Sequence, residues 1–191
     1  GYDYVDLFEA GTIHLFDLAR FFMGDVKSVV AVGTNRYHRQ RRAYPVDNAI
    51  LSCEFRSGAI GSLLTSSTAL SLKPWERVEI YGNKAWLAVE DQDELILYDS
   101  EDGPAKSWKP VIPNTLIFDE EFGGFMGLME NFLQVIRRSE EPLVTGWDGY
   151  RAFELDVAAH LSLRRNNRVE LPLLPEAADA EYREALSLHP S

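Results

Sequence analysis

The chain is 191 residues long, 46% apolar and 26% charged, with a formal net charge of −11 at pH 7. That size suits one substantial domain and hardly two, and the balance of residue types excludes a disordered chain. The negative field repels nucleic-acid phosphates and anionic lipid, and no apolar run approaches the ~18 residues of a membrane span. No charged-then-apolar leader is present, and the first residue is Gly1 rather than Met, so a piece of a longer protein is expected. The single cysteine, Cys53, has no partner for an internal disulfide and sits in an alternating apolar stretch, which predicts a buried thiol in a reducing, cytoplasmic setting.

Residues 11–23, GTIHLFDLARFFM, place Ile13, Leu15, Phe16, Leu18, Ala19, Phe21, Phe22 and Met23 nearly all round a helical wheel. That distribution predicts a helix buried on most sides and stopped by Gly24, in the left-handed position that glycine favours. From residue 26 to about 112 the pattern turns to strands. VKSVVAVGTNRY is rich in β-branched residues. NAILSCEF alternates, with Ala49, Leu51, Cys53 and Phe55 on one face and Ile50, Ser52, Glu54 and Arg56 on the other. RSGA at 56–59 and Gly82-Asn83-Lys84 read as hairpin turns, and ELILYD adds a strand before SEDGP. Consecutive hairpins mean a largely antiparallel sheet with one face to cover.

Phe122, Phe125, Met126, Met129, Phe132, Leu133 and Ile136 recur at helical spacing and predict an amphipathic covering helix. A second helix, 148–165, carries Ala152, Leu155, Ala159 and Leu163 on one stripe and ends at Asn166 and Asn167, before the short strand RVELPL. The expected fold is α+β: a largely antiparallel open β-sheet with helices packed on one face, in a single domain over residues 1–174, followed by a loosely attached tail at 175–191.

Within the first helix the polar arc is His14, Asp17 and Arg20, spaced three apart and therefore neighbours on one face. A carboxylate beside an imidazole orients it and fixes its tautomer, which suits a general acid or base. The other reading is a polar strip where the helix meets another domain, with His14 simply hydrogen-bonded. NRYHRQRRAY at 35–44 is a basic run, read as a solvated loop or an arm to a neighbouring subunit. His160 reads as a core or interface histidine, with no partners spaced for a metal. Asp119, Glu120 and Glu121 read as complements to a helix N-terminus. No strand, G-x-G-x-x-G, helix succession occurs, so no residue is assigned to a dinucleotide.

GTIHLFDLARFFMGDVKSV resembles the segment that opens the C-terminal domain of the Gfo/Idh/MocA oxidoreductases, with its H-x-x-D-x-x-R pattern and a glycine after a large apolar helix. VDNAILSCEFRSGAIGSLLTSSTA, ERVEIYGNKAWLAVE and GWDGYRAFELDVAAHLSLRRNNRVEL resemble that family's later segments in the same order, so the likeness covers most of residues 9–172. The resemblance implies a dihydrodipicolinate-reductase-like C-terminal domain that binds a sugar, polyol or related small carbonyl compound. NAD or NADP would lie on an N-terminal Rossmann domain absent from this chain, and this half alone would be inactive. It implies that His14 is catalytic and that Glu9, Asp17 and Trp75 face the substrate. The family's acid stands four residues before the histidine, where this chain has Ala10; Glu9 is five before. Either a one-residue bulge returns Glu9 to that place or the acid is absent. The resemblance also implies a homo-dimer or tetramer through the sheet face. The rival reading is a non-catalytic binding or dimerisation domain of the same fold, without nucleic acid or membrane as partner.

Overall fold

The computed structural model describes residues 7–36, 46–68, 76–90, 94–100, 103–109, 125–138 and 140–173. A single π-helical turn, Phe8–Thr12, runs without a break into α1 (Ile13–Met23). Eight strands and two more helices follow: β1 (Val26–Thr34), β2 (Asn48–Phe55), β3 (Ile60–Ser66), β4 (Arg77–Tyr81), β5 (Trp86–Glu90), β6 (Glu94–Tyr98), β7 (Lys106–Trp108), α2 (Phe125–Ile136), α3 (Gly146–Arg165) and β8 (Val169–Glu170). The α+β class and the antiparallel pairing are as expected. The strands, however, divide between two four-stranded sheets, ordered β3-β2-β1-β8 and β4-β5-β6-β7. The chain correspondingly forms two compact units, Gly1–Ala69 with Val144–Ser191, and Leu70–Leu143.

In the first unit the alternation in β2 does what its spacing demands. Ala49, Leu51, Cys53 and Phe55 are buried beside Val29 and Ala31 of β1, while Ile50, Ser52 and Val32 face outward. The β2–β3 hairpin closes through Phe55 and Ala59, with Gly58 at φ 88° where a side chain would be strained. Burial pushes the Cys53 thiol up to about 11, so it stays protonated and inert. α3 lies on the inner face. β8 is only two residues long and pairs Val169 with Val29, so the Ala31 N–H beyond it needs another acceptor. Ser162 Oγ takes that bond at 2.9 Å and donates its own proton to Asn167 O at 2.6 Å.

α3 begins at a capping box. Asp148 N–H donates to Thr145 Oγ1, and Asp148 Oδ2 accepts from the Thr145 N–H at 2.8 Å and its hydroxyl at 2.7 Å. Replacing Thr145 by Ala is expected to cost ~1 kcal/mol of stability, read from the midpoint of urea unfolding. The bonds from Thr145 hold the Asp148 carboxyl below its ordinary range. Their contribution is complete above the unfolded-state pKa of aspartate and is lost as pH falls through the lower folded value. The gap between wild type and Thr145→Ala should therefore narrow in acid.

α1 differs from the expectation of burial on most sides. Phe16 is fully buried, but Phe21 is 80% and Phe22 46% exposed. The helix packs through one face only, against α3 and the π-turn, and nothing among the described residues lies over its far side. Its last turn is fastened by Arg20, whose guanidinium donates to Asp17 Oδ1 (3.4 Å), Asp25 Oδ1 (3.0 Å) and Asp148 O (3.2 Å). One cation thus ties the end of α1 to the start of β1 and the start of α3.

In the second unit Tyr81, Trp86 and Tyr98 stand opposite one another across β4, β5 and β6. The amphipathic stripe of α2 is present, but the expected cover is not. Met126, Met129, Phe132, Leu133 and Ile136 are exposed, and among the described side chains of α2 the buried one is polar Asn131. Asn131 binds the following loop instead, accepting from Leu143 N–H at 3.1 Å and donating to Glu141 O at 3.2 Å. Phe122 lies outside the described residues.

Candidate active site

His14 is the second residue of α1 and its side chain is exposed. The turn ahead of it is wider than an α-helical one: the Ile13 N–H reaches Phe8 O, five residues back. Such a turn accommodates one extra residue without breaking the helix, and these insertions recur at functional sites. In an unbroken α-helix Glu9, five residues before His14, would lie about 140° away round the axis. The five-residue closure sets Phe8 one turn before Ile13, and Glu9 and His14 are the next pair along the chain.

The π-turn is held from three sides. Phe8 is fully buried, its ring 5.9 Å from Phe16 and 4.8 Å from His160 between centroids. Thr12, 2% exposed, donates its hydroxyl to Leu7 O at 3.1 Å, and its Oγ1 lies 2.7 Å from Thr65 Oγ1 on β3. Helix, sheet and α3 therefore meet at this one turn.

The other expected residues are placed differently. Asp17 accepts from Arg20, and among the described residues no hydrogen bond joins it to His14. Trp75, the Asp119–Glu121 run and residues 37–44 of the basic run lie outside the described residues. His160 is 6% exposed, a core histidine as read from the sequence. Phe8, Thr12 and Thr65 were not singled out in the sequence. Thr12 was legible as the residue opening the histidine helix, but its pairing with Thr65, 53 positions away, leaves no local signal.

A shallow depression lined by Arg20, Asp25, Arg56, Arg151, Glu154 and Leu171 lies toward the far end of α1. Its guanidiniums are engaged within the protein, Arg151 with Glu154 at 2.6 Å and Arg56 with Leu171 O at 2.6 Å, so it reads as a structural network. Among the described residues, no group of three or more His, Cys, Asp or Glu could hold a metal, and no helix is long and apolar enough to cross a membrane. Every described strand pairing is antiparallel, and α1 follows a π-turn rather than a strand. The described residues therefore do not fit a dinucleotide phosphate cradle, which needs a strand, a glycine turn and a helix N-terminus in succession.

Fold, order of segments and site now define a class. The family described as the oxidoreductase family, C-terminal alpha/beta domain (Gfo/Idh/MocA) matches residues 8–171. The chain belongs to that family. It is similar to myo-inositol 2-dehydrogenase of Thermotoga maritima, 29% identical over 165 residues that make up 84% of this chain and 47% of the relative. It is also similar to D-apiose dehydrogenase of Paraburkholderia graminis, 25% identical over 172 residues, 88% of this chain and 45% of the relative. The chain thus spans about half the length of the curated relatives it matches. A solved structure of levoglucosan dehydrogenase in complex with NADH and L-sorbose shares the fold, with a TM-score of 0.73 and 19% identity over 88% of this chain and 50% of that one.

Proposed function

We propose that this chain is the substrate-binding and oligomerisation half of an NAD(P)-dependent dehydrogenase acting on a sugar, polyol or related small carbonyl compound. The observation that carries this reading is an exposed histidine at the head of α1, directly behind a turn widened by one residue, in a chain of this family. Residues 1–174 act as one substrate and oligomerisation domain, with 175–191 as a tail. The nucleotide lies on a Rossmann domain belonging to the rest of the protein, and when bound it supplies the hydride acceptor or donor.

His14 exchanges a proton with the substrate oxygen at the carbon being oxidised or reduced. Exposure suits that task, because an imidazole sealed in the core has no path to a reactant. Glu9, returned to a place one turn before His14, orients the imidazole or the substrate, and Asp17 braces the helix through Arg20. Trp75 stacks on the sugar ring. Sugars and polyols are supported by the dehydrogenases of inositol and apiose that this chain resembles. The test is to join the chain to its nucleotide-binding half and assay NAD+ and NADP+ reduction against a panel of sugars and polyols. Turnover by the joined protein and none by this chain alone is expected; a joined protein that binds NADH yet turns over no member of the panel overturns the reading.

Oligomerisation is assigned to the outer face of the β3-β2-β1-β8 sheet. Val32, Ile50 and Leu64 form one cross-strand row there and are 67%, 53% and 74% exposed. Three apolar side chains in register on a solvent face suit burial against a second copy. Replacing Ile50 with Lys should convert a dimer or tetramer to a smaller species in sedimentation while leaving the monomer folded.

A further inference from the structure

α3 carries a buried ionisable pair that the proposed chemistry does not use. Asp156 is 1% and His160 6% exposed, one turn apart, with His160 Nε2 3.2 Å from Asp156 Oδ1. Burying an acid and an imidazole costs free energy unless they satisfy one another, so the pair is an expensive way to fill a helix face. Apolar residues would pack the same space without that cost. The carboxylate oxygen stands within ion-pair distance of the imidazole but off the line of a hydrogen bond, so what His160 brings to its neighbours is its ring.

The placement of that ring has a visible consequence. The His160 ring faces the Phe8 ring at 4.8 Å between centroids, tilted by 51°. Phe8 is the first residue of the π-turn and accepts, through its carbonyl, the five-residue bond that defines it. A chain free to choose closes the tighter four-residue bond, and the wide turn is rare for that reason. Something outside the turn must therefore hold Phe8 in place. Phe16 and His160 are two rings that meet it, and His160 does so from α3, a separate helix.

We propose that His160 is a positioning residue: it wedges Phe8, keeps the π-turn from relaxing to α-helical spacing, and so sets Glu9 in register with His14. The role rests on the dehydrogenase reading for its effect on turnover, but not for its effect on the turn. It is a steric and orientational role. His160 touches neither substrate nor cofactor.

Two measurements on the joined two-domain protein test it. In His160→Ala, kcat should fall ten- to a hundredfold with KM within about twofold, since an error of about 1 Å in the placement of a catalytic group costs on that order. Backbone hydrogen exchange over residues 8–14 should quicken at least tenfold, with exchange in β2 unchanged. The double variant Asp156→Ala, His160→Phe restores an uncharged ring against Phe8 and should recover both kcat and protection. It also keeps the core filled if the alanine variant folds poorly. Unchanged exchange over 8–14 in His160→Ala, or a double variant that folds but recovers neither quantity, overturns the proposal. The two readings fail separately: a His14→Ala variant with full turnover removes the catalytic assignment, while the exchange arm decides the wedge on its own.

Discussion

Replacing His14 with Ala in the joined protein should lower kcat by ~10²–10⁴-fold while NADH binding is unchanged, because a positioned acid or base contributes on that scale. Selectivity between the two readouts is the point. His14 is exposed and helps no packing, so its loss should not shift the unfolding midpoint by more than ~0.5 kcal/mol. The measurement is steady-state turnover on the best sugar or polyol beside fluorescence titration with NADH. Equal turnover in the two proteins removes His14 from the mechanism and favours the binding-domain reading. A parallel loss of nucleotide affinity would point instead to a displaced helix.

The largest structural effect is expected two residues further along the same helix. Phe16 is fully buried, and its ring meets Phe8 at 5.9 Å. Truncation to Ala removes that burial and leaves a cavity where α1, the π-turn and the core meet, at a cost of ~3–5 kcal/mol. Chemical denaturation should show a lower midpoint at unchanged slope. Because Phe16 also supports Phe8, the variant should lose turnover even under conditions where it remains folded. Phe21, on the same helix and 80% exposed, is the control: its truncation should be nearly silent in stability.

Much of this was legible in the sequence, and the reasons differ by element. β2 announced itself because one face is buried in the core and the other is largely exposed, so period-two alternation had nothing to blur it. The end of α3 was readable from Asn166, which takes the left-handed geometry at φ 50° that asparagine tolerates. α1 misled because an apolar wheel reports which side chains avoid water, not whether this chain supplies what covers them. Phe21 and Phe22 are exposed on that account. α2 misled similarly: its stripe is real, but the buried position belongs to Asn131, chosen for the carbonyl and amide of a loop twelve or fewer residues on. Composition held no trace of two sheets in place of one, since strand pairing across long separations is not a local property.

At the candidate site the sequence supplied the histidine, the displaced Glu9 and the choice between a one-residue bulge and an absent acid; the π-turn itself needed the fold. Arg20 sits three residues from Asp17, and helical neighbourhood alone allowed Asp17 to serve either His14 or Arg20. Asp25 and Asp148 O decide the matter by fixing the guanidinium where Asp17 meets it. The anchor of Thr12 on Thr65 needed the tertiary fold.

The widened turn has one more implication, for how such chains are compared. Counting positions along the string is a poor ruler across a turn closed over five residues instead of four. On the proposed reading, a gapless comparison there sets Ala10 against the acid and hides Glu9. Excising Ala10 makes the point experimentally: the helix should tighten by one rung, Glu9 should keep its neighbour, and the shortened protein should work as well as its parent.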